Sequence, residues 1–96
     1  MAGSFPNVAN LIIEKMAKWN DSIPIVQEST SAIRNYVRKV EYARLLRTDS
    51  VDVLVSLARD PKFDKVRTVI GQALKLMTRV SELDNRIKMK NATDLL

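Results

Sequence analysis

Hydrophobic residues recur at every third or fourth position over long stretches of this chain, which is the period of an amphipathic α-helix. The first stretch predicts a helix from Pro6 to Asn20, with Ser4 as its N-cap and Pro6 in its first turn. Its apolar face is expected in the core of a bundle and consists of Val8, Leu11, Ile12, Met16 and Trp19. With its lysines, this helix also suits a membrane surface. The core assignment is favoured, because a bundle needs this face to complete its interior.

A second helix is predicted to begin after a capping residue, Asp21 or Ser22, and to continue to about Arg47. Pro24 falls in its first turn, and the hydroxyl residues 29–31 lower the helix propensity enough to predict a bend. The predicted inner face comprises Val26, Ile33, Val37 or Tyr36, Val40, Ala43 or Arg44, and Leu46.

A short third helix is predicted from Val51 to Ala58, after the capping cluster 48–50. The alternation of Val51, Val53 and Val55 also fits a β-strand. The helix is favoured, because the chain shows no second strand with which this segment could pair.

The strongest pattern begins at Asp60 and Pro61, which form a helix-start signal of cap and first-turn proline. Apolar residues then continue in heptad register, namely Phe63, Val66, Ile70, Ala73, Met77, Val80 and Ile87. The pattern predicts one helix from Pro61 to about Lys90, roughly 45 Å long at 1.5 Å per residue. Gly71 interrupts the helix formers and predicts the close approach of a neighbouring helix or of another chain.

These elements predict an all-α fold, a compact bundle of about four helices with a long central C-terminal helix. The 96 residues are expected to form a single helical domain, frayed at about residues 1–4 and 91–96. No apolar run approaches the roughly 20 residues that span a bilayer. No secretory signal is recognisable either, so the expected location is cytoplasmic.

Composition restricts the chemistry that this chain can perform. It contains no His and no Cys, which removes imidazole acid–base catalysis, thiolate nucleophiles and the usual zinc ligands. With 2 glycines it cannot form a glycine-rich phosphate loop. The carboxylates fall mostly at predicted helix starts, where they favour the helix dipole. We therefore expect no enzymatic activity, no cofactor and no metal site.

The net charge of +5 favours acidic partners such as nucleic acid, anionic membranes or acidic proteins. The stretch from Arg34 to Arg47 holds five basic residues against the single acid Glu41, with Tyr36 and Tyr42 between them. Arginine and aromatic side chains together suit phosphates and unstacked bases. The candidate nucleic-acid contacts are Arg34, Arg38, Lys39, Arg44 and Arg47.

The predicted C-terminal helix is longer than the helices that can cover it, so we expect its far end to expose apolar surface to a partner. The candidate oligomer interface comprises Val80, Leu83, Asp84, Arg86 and Ile87. The sequence therefore favours a non-enzymatic, self-associating assembly module, a component or accessory of a larger complex such as a viral one. The alternative is a nucleic-acid-binding protein that acts through basic helix surfaces without base-specific readout.

Overall fold

The chain folds into helices separated by short turns. A computed structural model describes the backbone of residues 4–96 and the side chains of residues 8–96, and no strand occurs within this part. The helices are α1 (Ser4–Lys18), α2 (Ile23–Tyr36), α3 (Val40–Ala43), α4 (Asp49–Arg59), a 3-10 helix (Pro61–Val66), α5 (Arg67–Met77), α6 (Ser81–Met89) and a 3-10 turn (Thr93–Leu95). The predicted all-α class is confirmed. Among these helices none combines the length and the apolarity needed to cross a bilayer.

Two of the predicted helix starts carry the expected side-chain caps. The Ser22 hydroxyl accepts a hydrogen bond from the backbone N–H of Ile25 at 3.5 Å, at the start of α2. The Asp60 carboxylate accepts one from the N–H of Lys62 at 3.1 Å, directly before the 3-10 helix. Thr48, at the start of α4, makes no such bond. The expected cap at Ser4 concerns a side chain outside the described residues.

The second predicted helix is shorter than expected, because α2 ends at Tyr36 rather than at Arg47. Lys39 adopts an extended backbone conformation, and only the four-residue helix α3 follows it before α4. No proline or glycine marks this break in the sequence. The buried positions nevertheless follow the predicted pattern, since Val26, Ile33 and Val37 all lie in the core.

The predicted long C-terminal helix is divided into the 3-10 helix, α5 and α6. The second of these breaks lies between α5 and α6, where the backbone of Val80 is extended, with φ −106° and ψ 121°. A continuous helix of roughly 45 Å would exceed the longest dimension of the molecule, which is 36 Å. Folding back places α6 against α4 and α5 and buries its apolar side chains within the same chain.

The helix α5 lies at the centre of the fold, in contact with α2, α3, α4, α6 and both 3-10 elements. The centre of the C-terminal segment is therefore an 11-residue helix, not the long one predicted. Its inward side chains Ile70, Ala73 and Met77 are fully buried. The remaining apolar positions predicted for this segment are also buried, namely Phe63, Val66, Val80 and Ile87.

The face that α1 turns to the core agrees with the predicted one only in part. Met16 is buried and Ile12 is partly buried, as predicted, and the other buried residues are Ala9 and Ile13. The remaining predicted members are about half exposed, namely Val8 at 48%, Leu11 at 59% and Trp19 at 48%. Both sets have helical spacing, so periodicity alone did not distinguish them. Packing against α2 and α4 selects between them.

The C-terminal segment, for which fraying of residues 91–96 is predicted, packs against the rest of the chain. Ala92 is buried, and Arg59 bonds the Asn91 carbonyl oxygen at 2.9 Å and the Asp94 carboxylate at 3.0 Å. The carbonyl oxygen of Leu95 lies over Gly71 so closely that a Cβ atom there would collide with it. The predicted close approach at Gly71 is thus confirmed, but the neighbour is the C-terminal 3-10 turn of the same chain rather than a packed helix or another chain. The fraying predicted for residues 1–4 concerns a segment mostly outside the described residues.

Candidate anion-binding groove

The five basic residues predicted to contact nucleic acid do not form one surface. Arg34 and Arg38 lie beside α5, where they line a common groove. Lys39 instead lies over the ring of Tyr42, with its Nζ 5.6 Å from the ring centroid. Arg44 is exposed at the end of α3. Only the first two therefore belong to the site described below.

Arg47, the fifth candidate, is an ion-paired structural residue. Its guanidinium bonds both oxygens of Asp49, at 2.8 and 3.2 Å, and approaches Glu14 at 3.4 Å. Its backbone N–H donates to the Asn10 side chain at 3.2 Å. The hydrogen bond to Asp49 raises the pKa of this guanidinium above its usual value. Arg47 thus links α1 to the start of α4, with its charge compensated.

The two tyrosines of the basic stretch stack on each other, with ring centroids 5.1 Å apart. Burial raises the pKa of the Tyr36 hydroxyl above its usual value. Tyr36 and Arg34 are two positions apart on α2, which places them about 200° apart around the helix. The aromatic pair and the groove arginines therefore occupy different sides of α2, and the composite surface predicted from the sequence does not form.

A groove between α2 and α5 gathers basic side chains from both helices. It encloses about 710 Å³, within the size range of ligand sites. We call it the α2–α5 groove; its lining residues are Arg34, Arg38, Gln72, Lys75, Leu76, Thr78 and Arg79. The two walls are tied together by Arg34, whose Nη1 donates to Oε1 of Gln72 at 2.9 Å. The Nε of Arg34 is buried and has no hydrogen-bond partner among the described protein atoms.

Arg79 holds one end of the groove in place. Its Nη2 donates to the carbonyl oxygens of Val37 at 2.6 Å and Arg38 at 2.9 Å, and its Nε donates to Leu76 at 3.0 Å. These acceptors belong to the two helix ends that the sequence did not predict. A cation at helix C-termini also interacts favourably with the helix dipoles. Arg79 therefore stabilises both breaks while it contributes positive charge to the groove.

The charges of the groove are not compensated by carboxylates. Among the described residues, none of Arg34, Arg38, Lys75 and Arg79 makes an ion pair. By contrast, the arginines 47, 59 and 86 each have a carboxylate partner. Four like charges around one groove repel one another, and an anionic ligand would relieve that repulsion. The arrangement is suited to holding phosphate or carboxylate groups.

Lys75 and Arg79 were not among the sequence-predicted contacts. Cations near the end of a helix are favoured by the helix dipole alone, so their presence there does not by itself indicate a binding role. Their four-residue spacing matches that of Arg34 and Arg38. That spacing predicts two basic rows, but only the packing of α2 against α5 brings the rows together.

The predicted oligomer interface is largely internal to the chain. Val80, Leu83 and Ile87 are buried in the core, so the expectation that this segment exposes its apolar residues is wrong. Arg86 makes a bidentate bond to Asp52 at 2.6 and 2.8 Å, which joins α6 to α4. The remaining candidate, Asp84, pairs with Lys88 one turn later at 3.1 Å.

The hydrogen bond from Arg86 lowers the pKa of the Asp52 carboxyl below its usual value, although partial burial opposes that shift. The two carboxylates near the start of α4 are thus committed to arginines, Asp49 to Arg47 and Asp52 to Arg86. Within the described residues, no three carboxylates come together as metal ligands would.

The α2–α5 groove is accordingly the candidate binding site. Comparisons of the chain with protein-family models, with curated proteins and with solved structures found no match.

Proposed function

We propose that this chain is a non-enzymatic binding protein whose α2–α5 groove holds the phosphate groups of a nucleic acid. The observation that carries the proposal is the convergence of Arg34, Arg38, Lys75 and Arg79 on one groove without a carboxylate partner. Neutralising phosphates with such cations releases counterions, which is the main sequence-independent source of nucleic-acid affinity. A cytoplasmic location is part of this proposal.

The groove presents cations from both of its walls. Each wall carries two basic residues four positions apart, so successive phosphates of a strand meet successive cations. Among the described residues, the other side chains that line it are Gln72, Leu76 and Thr78. With one amide and one hydroxyl beside four cations, this lining favours binding through the phosphate backbone rather than through base edges.

Affinity for a single-stranded oligonucleotide, measured as a function of salt, tests the proposal. The groove variant is Arg38→Gln with Lys75→Gln, which removes one cation from each wall. Arg79 is left unchanged because it holds the two helix breaks together. The matched control is Arg44→Gln with Lys65→Gln, which removes the same charge from exposed positions that do not line the groove.

We expect the wild type to show a log–log salt dependence with a slope of about −0.7 for each phosphate contact. The groove variant should lose two contacts and about 1.4 of that slope, whereas the control should bind like the wild type. Absence of binding at low salt, or an equal loss in both variants, would refute a specific role for the groove.

Self-assembly is a second proposed function, but through a surface other than the interface predicted from the sequence. Met89 at the end of α6 is 71% exposed, next to the segment that the sequence favoured as an interface. Light scattering over a range of concentrations tests it. A self-association of the wild type that Met89→Glu abolishes supports this role, and a monomeric wild type at high concentration rules it out for this chain alone.

A further inference from the structure

The outer surface of α1 carries large apolar side chains that the core does not use. Helical geometry places residues 8, 11, 12, 15 and 19 within about 100° of arc. We call this surface the α1 strip; its members are Val8, Leu11, Ile12, Lys15 and Trp19. Ile12 is partly buried, whereas Val8, Leu11 and Trp19 are each about half exposed. Scattered exposed hydrophobic residues are ordinary, but residues aligned along one helix indicate an interaction surface.

The fold does not require the exposed members of this strip for its own stability, although the partly buried Ile12 packs against the core. Helix α1 already buries Ala9, Ile13 and Met16 against α2 and α4. The strip extends over residues 8–19, which is about 16 Å along the helix. Substitutions at its exposed positions therefore leave the core contacts of α1 in place.

The charges of the strip favour an anionic partner. Lys15 lies within it and Lys18 beside it, and neither makes an ion pair among the described residues. The nearby carboxylate of Glu14 is bound to Arg47 at 3.4 Å. The chain as a whole carries a net charge of +5. The surface thus presents apolar area together with unopposed positive charge.

A second copy of this chain is a poor occupant for electrostatic reasons. In a two-fold dimer formed through α1, residues near the middle of the strip face themselves. Lys15 lies near that middle, so two like charges would meet across the interface. An anionic surface, in contrast, attracts both Lys15 and Lys18.

We propose that the α1 strip docks on the surface of an anionic phospholipid bilayer. Helices with aliphatic residues, tryptophan and lysine lie in the headgroup region, where the apolar side chains enter the acyl boundary. Lysine ammonium groups then reach the lipid phosphates while their methylene stems cover apolar surface. Trp19, at one end of the strip, has the amphipathic ring that this region favours. This proposal concerns a different surface from the α2–α5 groove and does not depend on nucleic-acid binding.

The chain has a single tryptophan, Trp19, which reports directly on the strip. The test compares vesicles of phosphatidylcholine with vesicles that also contain phosphatidylserine. We expect the Trp19 emission to shift to shorter wavelength, and the protein to float with the vesicles, only when phosphatidylserine is present. Leu11→Glu should weaken flotation at least about tenfold, because burial of one leucine changes an equilibrium by more than that factor. Leu45→Glu is the matched control, since it places the same charge at another exposed leucine outside the strip.

Several results would overturn the proposal. One is the absence of a phosphatidylserine-dependent shift, and another is an equal loss of flotation in Leu11→Glu and Leu45→Glu. A wild type that self-associates without vesicles, and dissociates on Leu11→Glu, would identify a second copy as the occupant. Loss of flotation in the variant Arg38→Gln with Lys75→Gln, with Leu11→Glu unaffected, would assign vesicle binding to the groove. Unchanged circular dichroism of Leu11→Glu verifies that the helix remains folded.

Discussion

The contact between Gly71 and the C-terminal turn predicts that Gly71→Ala has opposite effects on the free energy of unfolding in the full chain and in a chain that lacks this turn. Alanine inside a helix is about 1 kcal/mol more favourable than glycine. A Cβ atom at position 71 would, however, collide with the carbonyl oxygen of Leu95, a backbone atom that no rotamer change can move. Overpacking of this kind costs about 1–3 kcal/mol. We therefore expect Gly71→Ala to lower the free energy of unfolding of the full chain, by up to about 2 kcal/mol.

Truncation after Ala92 removes the colliding atoms. In the shortened chain, only the higher helix propensity of alanine determines the effect of Gly71→Ala. Only atoms of Leu95 lie near the added Cβ, so the shortened chain offers open space there. In that background Gly71→Ala should raise the free energy of unfolding by about 1 kcal/mol. Urea unfolding followed by circular dichroism measures all four proteins as a double-mutant cycle. The reasoning is refuted if Gly71→Ala stabilises the full chain as much as the truncated one.

Two further predictions concern the polar contacts that join distant segments. Arg79→Met should lower the free energy of unfolding by about 1–3 kcal/mol, because carbonyl oxygens at both helix breaks lose their donor. Arg79→Lys should recover less than half of that in the same urea melts, because an ammonium lacks the planar fork that reaches three carbonyls; full recovery would contradict this role. Asp52→Asn should cost about 1 kcal/mol at pH 7 by removing the bond to Arg86. The folded pKa of Asp52 lies below the unfolded value of about 3.9, so its contribution is present above that value. The difference between Asp52→Asn and wild type should therefore shrink as the pH falls from about 4 towards 2, and a constant difference would argue against the ion pair.

Local sequence signals were sufficient where the physical cause is local. The period of the apolar residues determines the all-α class, and hydrogen-bonding side chains at Ser22 and Asp60 mark two helix starts. The apolar heptad positions from Phe63 to Ile87 are buried as predicted, because each of the shorter helices in this segment still turns its apolar residues to the core. Gly71 also indicated a close approach from the sequence alone, although the approaching segment could not be named.

Other features depend on contacts between residues far apart in the chain. The breaks after Tyr36 and Met77 have no proline or glycine, and they are stabilised across space by Arg79. The core-facing side of α1 was ambiguous, because two apolar faces share one helical period and packing selects between them.

The candidate binding groove is equally a product of tertiary structure. Arg34 and Lys75 are 41 positions apart in the sequence, and only the packing of α2 against α5 brings their charges together. Arg47 pairs with the nearby Asp49 and with Glu14 on α1, and Arg86, a candidate for the oligomer interface, pairs with Asp52 on α4. The sequence by itself thus determined the helical class and most of the core. The three-dimensional packing decided where the helices break and which basic residues lack a carboxylate partner, because both depend on contacts between residues far apart in the chain.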